Sequence, residues 1–325
     1  MGRQLYDVVA TLGPATATIE AARALVEAGA TALRINTSHV QPSELPGWLA
    51  RLRPLMGSTV LYLDLQGSKW RVGDFEPWSL AEGARVELAF AAKGAHGGSI
   101  PVPHQDFFSA AALSDGRALL DDAGIELRLE ETGGERAAAT VLRPGILRPR
   151  KGITLPATPF RRESLTSADA EIVGETAGLG TVRYAVSYVK DGLEAAGYRS
   201  LLRNRPMVAK LERPSALAEA AAIAEISEGM WLCRGDLGAE MGLREMAEAV
   251  HRFARGLAAL RVPVLMAGQL LEHMTEHPVP TRSEACHLYD VLAAGFRGVV
   301  LSDETAVGRH PVESVRVVAT WNMEG

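Results

Sequence analysis

Residues 207–238 read MVAKLERPSALAEAAAIAEISEGMWLCRGDLG. The segment opens on a short apolar run, MVAKLE, passes through an Ala-rich stretch with helical spacing, PSALAEAAAIAEI, and closes on a second apolar run, MWLCRG. A strand, a helix and a strand within about 30 residues make the β-α-β unit of a parallel sheet. The rhythm continues in both directions. Further candidate strands begin at Asp7 (DVVATL), Ala32 (ALRINT), Val60 (VLYLDL), Val182 (VRYAVSYV), Val262 (VPVLMAG) and Gly298 (GVVLSD). Helical stretches such as IEAARALVEAGA and REMAEAVHRFARGLAAL lie between them, and AGA and AAGF read as helix ends with Gly near the C-cap. With the strands at Met207 and Met230 the count is eight. Eight β-then-α units predict an α/β fold, a (β/α)8 TIM barrel.

One interval breaks the rhythm. From about Val72 to Pro156 the chain holds short β-like runs (RVELAF, IELRLE, AATVLR) and turn-rich stretches (AKGAHGG, ETGGE). This predicts a small all-β domain over 72–156, inserted after strand three, with 1–71 and 157–325 forming the barrel. RVGDFEP on entry and RPRKGITLP on exit read as its linkers.

Composition narrows the function classes. The chain has 325 residues, 47% apolar and 22% charged, enough to bury a large core. A net charge of −5 gives no general attraction to nucleic acid or anionic lipid. No stretch reaches the roughly 18 apolar residues of a membrane helix, and the start, MGRQLYDVVATLGP, lacks the order of a secretory signal. Two cysteines, Cys233 and Cys286, are too few for a disulfide framework. The expectation is a cytoplasmic protein with no nucleic-acid or membrane partner. There are five Lys against 29 Arg. A Lys retained in such a chain hints at a site that needs a compact ammonium.

In barrels the chemistry sits at the C-terminal ends of the strands, and polar residues collect there. Strand two ends in Arg34-Ile35-Asn36-Thr37-Ser38-His39, and strand three in Asp64-Leu65-Gln66-Gly67-Ser68-Lys69-Trp70-Arg71. Strand five ends in Lys210-Leu211-Glu212 and strand six in Arg234-Gly235-Asp236. Alternation puts Lys210 and Glu212 on one face of their strand. Elsewhere a K-x-E is a solvated ion pair. At a strand mouth, with Asp236 on the next strand, the two carboxylates suit Mg2+ or Mn2+ and leave positions for substrate oxygens and water. Lys210 can then neutralise charge on a phosphoryl group or an enolate. The Gly-rich turn in RGDLG offers Gly235 and Asp236 N–H groups to a carboxylate.

Taken together, these segments resemble the pyruvate kinase family. The matching stretches, in order, are ATLGPAT, EAGATALRINTSH, LDLQGSKWRVG, LLDDAGI, RKGITLP, LTSAD, VSYV, VAKLERP, RGDLGAEMG, GQLLEHM, HPVPTRSEA and LSDETAVGRHPVESVR. They run from Ala10 to Arg316. The resemblance implies a barrel with a small β domain after strand three, and phosphoryl transfer between phosphoenolpyruvate and ADP. It implies that Arg34 contacts the transferring phosphate, that Lys210 stabilises the phosphoryl group and enolate, and that Glu212 and Asp236 bind the divalent metal. Gly235, Asp236, Ser187 and Gly268 fall on the substrate side. His39, Arg71 and Lys151 match positions around the nucleotide phosphates. Asn36, Ser38 and Asp64 match the family's monovalent-cation pocket. A further C-terminal domain, with effector sites and part of the tetramer contact, usually follows in the family. This chain ends at Gly325, so the expectation is an enzyme without that control, with a homodimer through the barrel still open.

Two departures from the family pattern matter. Position 69 is Lys, where potassium-dependent members carry Glu, so the expectation is activity that does not require K+. Strand seven ends in Ala267-Gly268-Gln269 where the family reads Ala-Thr-Gln; the hydroxyl beside the substrate is missing, and the site is larger. Smaller departures are Val40, Arg213 and Asp303. Three activities stay open: transfer from phosphoenolpyruvate or a related enol phosphate; a metal-dependent lyase, decarboxylase or aldolase acting on a 2-oxo acid; and a non-catalytic sensor of phosphoenolpyruvate or nucleotide.

Overall fold

The computed structural model describes residues 6–94, 98–121, 123–156, 158, 162 and 164–322. The start of the second barrel segment expected at 157 and part of the AKGAHGG turn fall outside these residues. The chain divides into two compact units. The first comprises Met1–Gly67, Glu163–Arg234 and Ala247–Gly325; the second comprises Ser68–Arg162 and Gly235–Met246.

The first unit is a closed barrel of eight parallel strands. In chain order they are β1 (Asp7–Leu12), β2 (Ala32–Asn36), β3 (Val60–Leu65), β4 (Val182–Val186), β5 (Met207–Leu211), β6 (Gly229–Cys233), β7 (Val264–Ala267) and β8 (Gly298–Leu301). Each is near-continuously apolar and buried, as a strand covered on both faces must be. Helices follow as expected, among them Ile19–Glu27, Gly192–Leu201, Arg282–Ala293 and Pro311–Thr320. The first three start on side-chain caps, Thr18, Asp191 and, with a full capping box, Thr281. The single helix expected over PSALAEAAAIAEI is instead two short ones, Pro214–Ala218 and Ala220–Ala224, broken at Glu219. No helix among the described residues is long and apolar enough to cross a membrane.

Strand alternation sorts the barrel interior into layers. Val9, Ala32, Ala185, Val208, Trp231, Leu265 and Val300 pack together inside, with Val60 and Tyr62 against them. Tyr62 and Trp231 meet edge to face, ring centroids 5.1 Å apart. Beneath this pair, toward the N-terminal end, lies a small cavity of about 130 Å³. One alternation further along the strands, the inward positions turn polar: Thr11, Arg34, Asp64, Ser187 and Lys210.

The second unit is built on a seven-stranded, mostly antiparallel sheet and a two-stranded sheet. Two expectations are corrected here. The unit is not all-β. Residues Gln105–Ala111 form a helix that sinks Phe107 and Phe108 into the unit's core, where Phe107 meets Trp70 edge to face. The stretches read as linkers are also partly strands: Trp70–Arg71 pairs antiparallel with Gly152–Thr154. Trp70 is fully buried in this core and donates its indole N–H to Asp106 at 3.1 Å, and Asp106 also pairs with Arg162 at 3.0 Å. These contacts draw the unit's edges out to Ser68 and Arg162, beyond the expected 72–156.

Candidate active site

The polar layer of the barrel is one connected ionic cluster. Asp64, on β3, is at its centre and is 1% exposed. Arg34, on β2, donates to Asp64 Oδ2 from Nε at 2.8 Å and from Nη2 at 2.6 Å. Lys210, on β5, lies 3.2 and 3.1 Å from Asp64 Oδ1 and Oδ2, donates to Ser187 Oγ at 2.9 Å, and sits 3.0 Å from Glu212 Oε1. Ser187 Oγ, just past β4, in turn donates to Asp64 Oδ1 at 3.1 Å. The parallel register explains the gathering: Asn36 pairs with Asp64, and Asp64 with Ala185.

Two cations and two carboxylates balance in this cluster, and burial makes that balance necessary. Burial alone would push the Asp64 carboxyl up, but Lys210 and Arg34 overcome it and hold the group below the ordinary carboxylate range. Burial likewise works against the Lys210 ammonium, yet Asp64 and Glu212 push its pKa above the ordinary lysine value. Lys210 is therefore a permanent ammonium. Cys233, at the end of β6, goes the other way. Burial and then the Glu212 charge push its thiol well above the ordinary range.

Sequence reasoning missed several members of this layer. Thr11 accepts from Arg34 Nη1 at 2.9 Å and donates to the Leu301 carbonyl at 2.7 Å, fixing the guanidinium. Its inward parity with Val9 in ATL was the available signal. Thr37 donates to the Asp64 carbonyl at 2.7 Å. Arg234 is a third. Its guanidinium grips the Gly268 and Gln269 carbonyls and contacts His287 Nε2 at 2.5 Å. Gly268 and Gln269 both have left-handed backbones, φ +90° and +53°, so the turn after β7 is held from the β6 side.

The remaining expected residues occupy distinct places. Asn36 Oδ1 accepts the Ser38 N–H at 3.2 Å and caps the short turn that carries exposed His39. In the second unit, Lys69 Nζ donates to Asp236 Oδ1 at 2.5 Å. Gly152 makes room for that lysine, because a Cβ there would meet Lys69 Cε at 2.6 Å. The Gly152–Arg71 pairing brings Arg71 beside Lys151; Arg71 donates to the Arg150 carbonyl at 2.9 Å, and Lys151 pairs with Asp121 at 2.8 Å. The Gly-rich turn expected at RGDLG is the start of a helix, Arg234–Met241. Gly235 and Asp236 lie in its first turn, where backbone N–H groups have no acceptor within the helix.

A closed (β/α)8 barrel with a buried ionic cluster at the C-terminal strand ends is the arrangement in which this class of fold carries its active sites. Residues 4–315 match the family model of the pyruvate kinase barrel domain, and the chain belongs to the pyruvate kinase family. It is 32% identical over 319 residues to a pyruvate kinase of Agrobacterium vitis, covering 96% of this chain and 66% of the relative. It is 34% identical over 315 residues to one from Methylorubrum extorquens, covering 95% and 66%. To one from Mycobacterium tuberculosis it is 31% identical over 324 residues, covering 96% and 68%. The chain thus spans about two thirds of the length of the relatives it matches.

Proposed function

We propose that this protein transfers a phosphoryl group between an enol phosphate, phosphoenolpyruvate or a close relative, and ADP. The observation that carries the reading is the Lys210 ammonium, buried at the strand ends among Asp64, Ser187 and Glu212. In the forward direction the bond from phosphorus to the enol oxygen breaks, and a bond to a terminal phosphate oxygen of ADP forms. The enolate left behind takes a proton at carbon. A permanent ammonium at this point opposes the negative charge that moves from one oxygen to another. Arg34, held by Asp64 and Thr11, offers planar donors to the phosphoryl oxygens. Arg71 and Lys151 supply positive charge for the nucleotide phosphates.

Glu212 would offer a carboxylate to a divalent cation, and so would Asp236. Their carboxylate oxygens are the hard donors that Mg2+ and Mn2+ prefer. No group of three or more His, Cys, Asp or Glu among the described residues could hold a metal ion. Water and substrate oxygens would therefore complete the shell, which is the usual state of Mg2+ in phosphoryl-transfer sites. Bound there, the ion would polarise substrate oxygens and offset their charge. Lys69 supplies a fixed positive charge in place of a bound K+, and the double engagement of Asp64 by Arg34 and Lys210 supports a site that does without that ion.

The deciding assay is ATP formation from phosphoenolpyruvate and ADP with Mg2+ or Mn2+, in KCl and in a matched tetramethylammonium salt. Turnover independent of KCl is expected. Absence of ATP from any enol phosphate tested would overturn the reading. Gly268 favours one alternative: with no side chain there, a bulkier 2-oxo acid fits, and release of a 2-oxo acid without nucleotide would point to a lyase.

A further inference from the structure

Arg213 follows Glu212 at the end of β5 and is buried, only 2% exposed. Alternation sends Lys210 and Glu212 inward and Arg213 outward, into the barrel wall. There its guanidinium carbon lies 4.8 Å from the centroid of the Tyr188 ring, and Tyr188 is equally buried. The Tyr188 backbone has φ +66°. That left-handed conformation is costly for a residue with a Cβ and persists only where the surroundings enforce it. The same peptide donates its N–H to Glu212 Oε2 at 2.7 Å. The other oxygen, Oε1, faces Lys210 Nζ at 3.0 Å.

We propose that Arg213 and Tyr188 form a positioning pair that fixes the orientation of the Glu212 carboxylate for the divalent cation. The inference rests on the reading of Glu212 as a metal carboxylate. The left-handed φ is what aims the Tyr188 N–H at Glu212. If Tyr188 relaxed to an ordinary conformation, its peptide plane would turn and Oε2 would lose this donor. The stacked guanidinium opposes that relaxation, because a desolvated cation on an aromatic face is a strong contact. Arg suits the place: it is planar, always charged and weakly hydrated, whereas an ammonium cannot stack. Both residues act through Glu212, and neither is assigned a contact with substrate.

The test uses the full chain without substrate, and two readouts: Mn2+ affinity by the electron paramagnetic resonance of free Mn2+, and hydrogen exchange of the Tyr188 amide in metal-free protein. Arg213→Met is expected to weaken Mn2+ binding by about 10- to 100-fold, the range for losing a group that orients a metal ligand. Arg213→Lys should lose nearly as much, and Tyr188→Phe, which keeps the ring, almost nothing. In Arg213→Met the Tyr188 amide should exchange roughly tenfold faster while the β5 amides keep their protection, which separates loss of the clamp from general loosening. Arg213→Met combined with Tyr188→Leu should be no worse than either change alone. Arg213→Met with Mn2+ affinity and Tyr188 exchange both within about twofold of the parent, or single effects that multiply in the double variant, would overturn the proposal. Glu212→Gln is the reference. If it leaves Mn2+ binding intact, the metal assignment fails, and the amide exchange still decides the clamp.

Discussion

Replacing Lys210 by Met removes one charge from the middle of the ionic cluster and keeps most of the side-chain volume. Three anchors lose their ammonium: Asp64 at 3.1 Å, Glu212 at 3.0 Å and Ser187 at 2.9 Å. Breaking a buried ion pair by deleting one partner costs about 3–5 kcal/mol. Asp64 still holds Arg34 at 2.6 Å and Glu212 still accepts the Tyr188 N–H, which argues for the low end, about 3 kcal/mol. At about 2 °C per kcal/mol for a chain of this size, Tm should fall by about 6 °C. The effect on catalysis should be larger. Loss of one charge aimed at the transition state lowers kcat by about 100- to 1,000-fold. Both quantities are read at neutral pH, Tm by calorimetry and kcat from ATP formation. Lys210 has a raised pKa in the folded state, so its contribution is complete below the ordinary 10.5 and is lost only as pH rises through the higher folded value. Titration does not confuse the comparison. A fall in Tm with kcat within about tenfold of the parent would show that Lys210 is only a structural counter-ion.

Other consequences are equally direct. Gly268 has φ +90°, so both Gly268→Ala and Gly268→Thr should cost about 1–2 kcal/mol of stability; only Thr should raise turnover of phosphoenolpyruvate, and equal turnover by the two would show that the missing hydroxyl is irrelevant. Lys69→Glu should make turnover rise with KCl where the parent does not; an unchanged response would remove Lys69 from the potassium question. His104 is pushed down from 6.5 to about 4 by burial and then by Arg162. It stays neutral when folded but protonates near pH 6.5 when unfolded, so its contribution to stability should be flat above that pH and fall between about 6.5 and 4. At about 1.4 kcal/mol per pH unit the loss approaches 3 kcal/mol, and denaturation of His104→Gln over the same range should lack that slope.

The barrel was readable because each strand is a short apolar run closed by a polar end, and because the register between parallel neighbours brings those ends level. The same period-two logic set Lys210 and Glu212 on one face. What escaped the sequence depends on partners far along the chain. Gln105–Ala111 is only seven residues long, and its helical spacing, Phe107, Phe108, Ala110 and Ala111, is too brief to stand out from a turn-rich stretch. Trp70 reads with the end of strand three, because the core that buries it comes from residues many positions later. Arg234 sits inside a recognisable motif, yet its grip on the Gly268 and Gln269 carbonyls follows from two left-handed residues in the turn after β7. Nothing local announces φ +66° at Tyr188, since tyrosine has no preference for that region.

The edge-to-face pair of Tyr62 and Trp231 gives the barrel a floor, and Arg34 sits over it, its guanidinium carbon 6.0 Å from the Trp231 ring. The interior is therefore a cup and not a pipe. Charges above the floor stand in a poorly polarisable well, where each keeps most of its force on its neighbour. At the level of the floor, where Val9, Val208 and Leu265 pack together, side chains answer to volume. The boundary falls within a single strand, between Val208 and Lys210, so two positions a few ångströms apart obey different rules of replacement: at the first a lost methyl group is the injury, at the second a lost proton.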